Sequence, residues 1–141
     1  MKKYITLLLL IPFLSFKSTT TNIDIVGKWK GTDKGKIGYL IFESDGYFTM
    51  KTGNTVLGGK NFTLKKKSVK SMYTYNADKN PIEIDLIIYD TNDNIVKKMI
   101  CIAEFKDENT MKLGTSFSSD KRPTTFEGIT STILTRVTNN K

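Results

Sequence analysis

Glu83 and Asp85 stand two residues apart in Ile82-Glu83-Ile84-Asp85-Leu86, a spacing that puts both carboxylates on one face of a β-strand. Paired carboxylates can divide acid and base work between them. The apolar flanks Ile84 and Leu86 point to a second role. A carboxylate drawn out of water needs a compensating donor, and the planar fork of arginine suits it. Arg122 is the first candidate for that partner and Arg136 the second. A structural Asp85–Arg122 pair competes with a ligand-binding role for Arg122, as the cation that fixes an acidic head group inside an apolar pocket. Tyr39, Phe42, Phe48, Tyr73 and Tyr75 supply rings for such a pocket. Some of them must build a core, while Tyr39, Tyr73 and Tyr75 are candidates to line a cavity with a phenol rim.

Other chemistries are excluded or weak. The chain has no histidine, which removes serine–histidine and cysteine–histidine catalysis and histidine-ligated zinc. Its single cysteine, Cys101, lies in Ile100-Cys101-Ile102-Ala103 and reads as a small core residue, since no neighbour would stabilise a thiolate. Asp90-Thr91-Asn92-Asp93-Asn94 begins like a calcium loop, but Ile95 occupies the glycine position and Cys101 that of the bidentate glutamate. Gly58-Gly59 lacks the lysine and hydroxyl residue of a phosphate-binding loop. The expectation is a protein that is not an enzyme and carries no metal and no cofactor.

These residues are positioned by short strands. Trp29, the only tryptophan, follows Gly27 in the first. Apolar and alternating runs then extend over 36–44, 47–51, 69–76, 82–90, 95–105, 110–116 and 131–137, separated by turn residues such as Asp45-Gly46 and Asp78-Lys79-Asn80-Pro81. Between Thr52 and Lys67 the pattern loosens around Gly53, Gly58 and Gly59, leaving room for a short strand near Phe62. Asn22 or Asp24 is placed to cap a short helical turn before the first strand. No long helical period follows. Sequential strands joined by tight turns predict an all-β, eight-stranded antiparallel up-and-down barrel, because closure removes exposed sheet edges.

Residues 1–18 read as a signal peptide: Lys2 and Lys3 precede an apolar run from Tyr4 to Phe16 that is too short to span a bilayer comfortably. Cleavage is expected between Phe16 and Thr21, leaving one domain over 21–141 and a periplasmic or secreted location with no stable membrane span. The formal charge of the 141-residue chain is +8, and part of it belongs to Lys2, Lys3 and Lys17. The remaining excess favours solubility and weak attraction to anionic surfaces. Lys65, Lys66 and Lys67, with Lys60 and Lys70, form its main cluster. Only Phe62 is interleaved with them, and single-strand nucleic-acid binding calls for more stacking partners, so no nucleic acid is expected. A solvated loop, or weak contact of Lys65, Lys66 and Lys67 with an anionic envelope surface, fits better.

Gly27-Lys28-Trp29, Phe42-Glu43-Ser44-Asp45-Gly46, Asn80-Pro81-Ile82-Glu83-Ile84-Asp85-Leu86, Lys121-Arg122-Pro123-Thr124-Thr125-Phe126 and Leu134-Thr135-Arg136, in this order and spacing, resemble a family of small exported bacterial lipocalin-like domains of largely unassigned function. The segments at the N-terminus and from Lys51 to Lys67 depart from that pattern. The wider lipocalin resemblance implies a barrel open at one end. It also implies that the tryptophan sits near the closed end under an arginine of the last strand, which by position is Arg136. Two functions follow as expectations. One is a binding protein that holds a small apolar or amphipathic molecule inside the barrel; the other is an envelope protein with a side-chain-filled barrel that acts through its surface.

Overall fold

Alternation of apolar and polar residues, cut by turns, produces a single antiparallel sheet in the computed structural model, which describes residues 24–116 and 119–138. Its strands are β1 (Gly27–Asp33), β2 (Lys36–Phe42), β3 (Phe48–Thr52), β4 (Thr55–Gly58), β5 (Phe62–Leu64), β6 (Lys67–Asn76), β7 (Ile82–Asp90), β8 (Ile95–Asp107), β9 (Thr110–Thr115) and β10 (Thr130–Arg136). They are ordered β4-β3-β2-β1-β10-β9-β8-β7-β6-β5. Each strand therefore pairs with its neighbour in sequence, except that β4 and β5 do not pair with each other and β10 returns to β1 through Trp29↔Arg136 and Lys30↔Thr135. The result is an all-β, nearly closed barrel.

Ten strands replace the expected eight. The additional pair, β4 and β5, falls in the glycine-marked stretch where the sequence shows no clear period, with β5 at the short strand expected near Phe62. Glycines between them let the two edges of the sheet approach each other. Gly58 has φ +116°, and a Cβ there would lie 2.5 Å from the Phe48 carbonyl oxygen and 3.0 Å from Ser71 Oγ. Without side chains, Gly58 and Gly59 turn the chain against β6, and the seam is stitched by Ser71 N–H to the Gly59 carbonyl (3.0 Å), Tyr73 N–H to the Gly46 carbonyl (2.9 Å) and a bridge between Tyr47 and Met72. The helical turn expected before β1 is absent among the described residues. Asp24 Oδ1 instead accepts the Val26 N–H (2.9 Å), a turn of the kind short acidic side chains form with their own backbone. Asn22 and the 1–18 segment lie outside the described residues.

Strand alternation sorts the two faces. Ile84 and Leu86 of β7, Cys101 and Ala103 of β8, Met111 of β9, Leu134 of β10, Trp29 of β1 and Leu40 and Phe42 of β2 point inward and form one continuous buried cluster. Met50, Tyr73, Met99, Phe105 and Leu113 pack on it, half-buried. Outside, the segment between β9 and β10 lies across the wall. Gly114 makes room for it, since a Cβ there would come within 2.9 Å of the Phe126 ring and 2.8 Å of Ile129.

Candidate functional site

Asp85 gathers the densest charge arrangement among the described residues, and it does so on the outer face, opposite Ile84 and Leu86. The crossing segment brings Arg122 to it: Nη2 donates to Asp85 Oδ1 at 2.7 Å and Nη1 to the Cys101 carbonyl at 2.9 Å. Lys98, on β8 beside β7, reaches Asp85 Oδ2 at 3.1 Å, and Glu83 lies 3.7 Å from Arg122 Nε. With its side chain only 13% exposed, Asp85 is held by two cations, and the charges are matched within the group. A cation so occupied ties a loop to a wall. It does not face the barrel interior, so the expected role of Arg122 as an anchor inside an apolar pocket has no geometric basis here.

The closed end is built around Trp29. Its indole Nε1–H donates to the Ile25 carbonyl at 2.9 Å, its ring meets Phe105 edge-on with centroids 5.7 Å apart, and the Arg136 guanidinium lies 4.2 Å above it. Arg136 spends its remaining donors on backbone: the carbonyls of Val26 (2.7 Å), Asp24 (2.6 Å) and Glu108 (3.1 Å). One side chain thus ties the chain's entry into β1, the β8–β9 turn and the last strand together. Gly27 completes the fit, because a Cβ at that position would sit 2.8 Å from Arg136 Nη1.

The three tyrosines expected around a cavity are not brought together. Tyr39 alternates with the inward Leu40 and lies on the outer face under the Lys28 ammonium, 4.3 Å from its ring centroid, so its assignment to an interior lining is corrected. Tyr73 does point inward, yet it packs on Phe42 with centroids 4.8 Å apart and donates its hydroxyl to the Glu43 carbonyl at 2.9 Å. Burial pushes its phenol above the usual range. Tyr75 shares Tyr73's face but sits near the end of β6, 37% exposed.

Potential nucleophiles are likewise absorbed into structure. Ser71 Oγ donates to the Phe48 carbonyl and accepts the Gly59 N–H at 2.7 Å, which makes it part of the seam. This buried serine gave no sequence signal; only the neighbouring Gly58-Gly59 pair hinted at a close approach. Cys101 is buried, and removal from water pushes its thiol up to about 11, far from a reactive thiolate. In the β7–β8 turn, Asp90 accepts the N–H groups of Asn92 (2.8 Å) and Asn94 (2.9 Å), and the Asn94 amide holds its other oxygen. Those bonds hold the Asp90 carboxyl below the usual range and use its oxygens to shape the turn. No group of three potential metal ligands is assembled among the described residues.

At the end opposite Trp29, the inward side chains Met50, Met99 and Leu113 are half-buried, and lysines stand on the turns around them. Lys65 (φ +48°) and Lys66 (φ +66°) form the two-residue β5–β6 turn, both left-handed, so their side chains project from its apex. A shallow open groove of about 520 Å³ lies between β1 and β10, floored at Gly31 and lined by Lys30, Thr32, Ser131, Thr132, Ile133 and Thr135. None of the expected site residues borders it. No family model, curated protein or solved structure matches this chain. Among the described residues, no helix is long and apolar enough to cross a membrane.

Proposed function

We propose that this chain is a non-catalytic barrel protein of the cell envelope, exported to the periplasm or beyond, that acts through its outer surface. The observation that carries the reading is the packing of the inward faces. Trp29, Ile84, Ala103 and Met111 are fully buried within one continuous apolar cluster, and that arrangement suits a scaffold more than a container. The chemistry of the side chains supports the non-catalytic part. With no histidine in the chain, a serine hydroxyl spent on two backbone groups and a thiol raised by burial leave little to perform covalent work.

A second reading draws on the resemblance to lipocalin-like domains and on one observation at the open end. Met50, Met99 and Leu113 are apolar, inward and half-buried, as the walls of a shallow binding site for a small apolar or amphipathic molecule would be. Native mass spectrometry separates the two. The protein is expressed through its own N-terminal segment and purified gently from the exported fraction. The surface reading expects the bare polypeptide mass, shortened at a point between Phe16 and Thr21. A discrete added mass that is lost on denaturation would overturn it in favour of the binding reading. Retention of residues 1–18 would overturn the export.

A further inference from the structure

The two ends of the barrel carry opposite charge. Turns and strand ends at the Trp29 end hold Glu43, Asp45, Asp78, Asp107 and Glu108 against Lys60, which binds Asp45, and Lys79, an acidic excess. Turns at the other end hold Lys34 and Lys36 between β1 and β2, Lys51 beside the β3–β4 turn, and Lys65 to Lys67 between β5 and β6, all exposed. The acids beside these turns are Asp33, Asp90 and Asp93, of which Asp93 is already bound by Lys70, and the β9–β10 connection, which leaves from the same end, adds Asp120 and Glu127 with Lys121. Charge separated along the barrel axis orients a protein in the field of a charged surface, with the basic end leading toward an anionic one.

The same end carries exposed apolar side chains. Val56 (59%), Ile95 (58%), Val96 (48%) and Ile37 (47%) are four of the six exposed large hydrophobic residues among the described residues, and each lies within two ladder positions of a turn at the lysine end. One cross-strand pair sets a lysine directly beside an apolar group: Lys51 faces Val56 across the β3–β4 ladder. A soluble polyanion would be recognised by the lysines alone. Apolar side chains around the same rim are suited to the boundary between head groups and acyl chains, where aliphatic groups leave water while ammonium groups remain at phosphate level.

We propose that the lysine end of the barrel docks on the surface of an anionic lipid bilayer, with the barrel axis along the membrane normal and the acidic Trp29 end facing away. This deepens the surface reading above and rests on it. The β5–β6 turn offers a clean handle. Both of its central residues are left-handed, a conformation that asparagine and glycine adopt far more readily than lysine. The pair Lys65→Asn/Lys66→Gly therefore removes two charges while improving the turn.

The test uses residues 21–141, which contain every described strand and the whole buried cluster, with flotation on equimolar phosphatidylcholine–phosphatidylglycerol vesicles and on phosphatidylcholine alone. Binding to the anionic vesicles that weakens with salt is expected, with little on the neutral ones. Lys65→Asn/Lys66→Gly should lower the affinity by about 25-fold at an unchanged or higher melting temperature, from roughly fivefold per lysine near an anionic surface. Val56→Thr should lower it by roughly fourfold through loss of one buried methyl. Equal binding to both vesicles, no binding to either, an unaltered affinity in the lysine pair, or equally tight binding to dextran sulfate would each overturn the proposal. Loss of vesicle binding alongside a bare mass in native spectrometry sinks the bilayer and leaves the surface reading standing; an added small-molecule mass sinks the surface reading itself.

Discussion

The end of the barrel that holds Trp29 and the end that holds the lysines are made of the same strands, yet they are built on opposite terms. At the first, polar atoms turn inward and are consumed: the indole N–H and the Arg136 guanidinium all find backbone carbonyls, and the ring beneath is wholly buried. At the second, lysines stand in solvent and aliphatic side chains are left uncovered. The inward alternation and the turns set the register of the strands, and the packing at the Trp29 end covers that end of the core. The other is then free to carry groups that do nothing for folding, which is where a contact with the outside can be placed at least expense in stability.

Removing the plug should therefore have the largest effect. Trp29→Ala deletes a fully buried ring, opens a cavity against Phe105 and strips the face from beneath Arg136; the expected loss is about 4 kcal/mol, read as a lower midpoint in denaturant. A loss under about 1 kcal/mol would mean that the backbone bonds of Arg136 hold the closed end without the ring.

The closed end was more legible in the sequence than the open one. A lone tryptophan after a glycine, and an arginine in the last alternating run, mark positions that a packed end requires, and the β7 alternation of Ile82, Ile84 and Leu86 marks the core face plainly. Asp85 and Arg122 were visible as groups in need of partners, although not that their meeting place is the outer wall. The tyrosines could not be sorted, because β2 is apolar on both faces and periodicity alone does not say whether Tyr39 or Leu40 points inward. β4 escaped for a different reason, and β5 showed only as room for a short strand near Phe62. They are four and three residues long, too short for a period, and their positions follow from what fits against Phe48 and Ser71 rather than from their own composition. The charge separation between the ends was hidden as well, since it exists only once a meander assigns alternate turns to alternate ends.

Between the two ends, Cys101 measures how deep the filling reaches. Its thiol is raised from 9.0 to about 11, chiefly by burial. Below about pH 9 the thiol is protonated in both folded and unfolded chains and contributes no pH dependence. As pH rises from 9 toward 11, the unfolded chain releases the proton and the folded one keeps it, so stability falls by roughly 2 to 3 kcal/mol across that window. Cys101→Ala should remove this share of the alkaline loss, measured as the difference between the two proteins' denaturation midpoints across the pH series. Equal slopes for the two would mean that water descends from the lysine end past Met99 to the thiol, and the contrast between a packed interior and a functional surface would lose its ground.

The smallest effect is expected at the lysine end itself. Lys34 (φ +48°) and Gly35 (φ +78°) form the two-residue turn closed by Asp33 and Lys36, in the left-handed geometry that Asn-Gly fits best. Lys34→Asn takes away a charge that has no part in the core and gives the first turn position a residue at ease there. The expected outcome is a gain of about 0.5 kcal/mol, with the denaturant slope unchanged, since no buried surface is altered. The sign matters more than the size. A gain means that the chain keeps lysine at this turn against its own folding preference, as a surface selected for an outside contact would. A loss of 1 kcal/mol or more, about the value of a structural hydrogen bond, would mean that Lys34 belongs to the fold and that the two ends of the barrel are less different than their charges suggest.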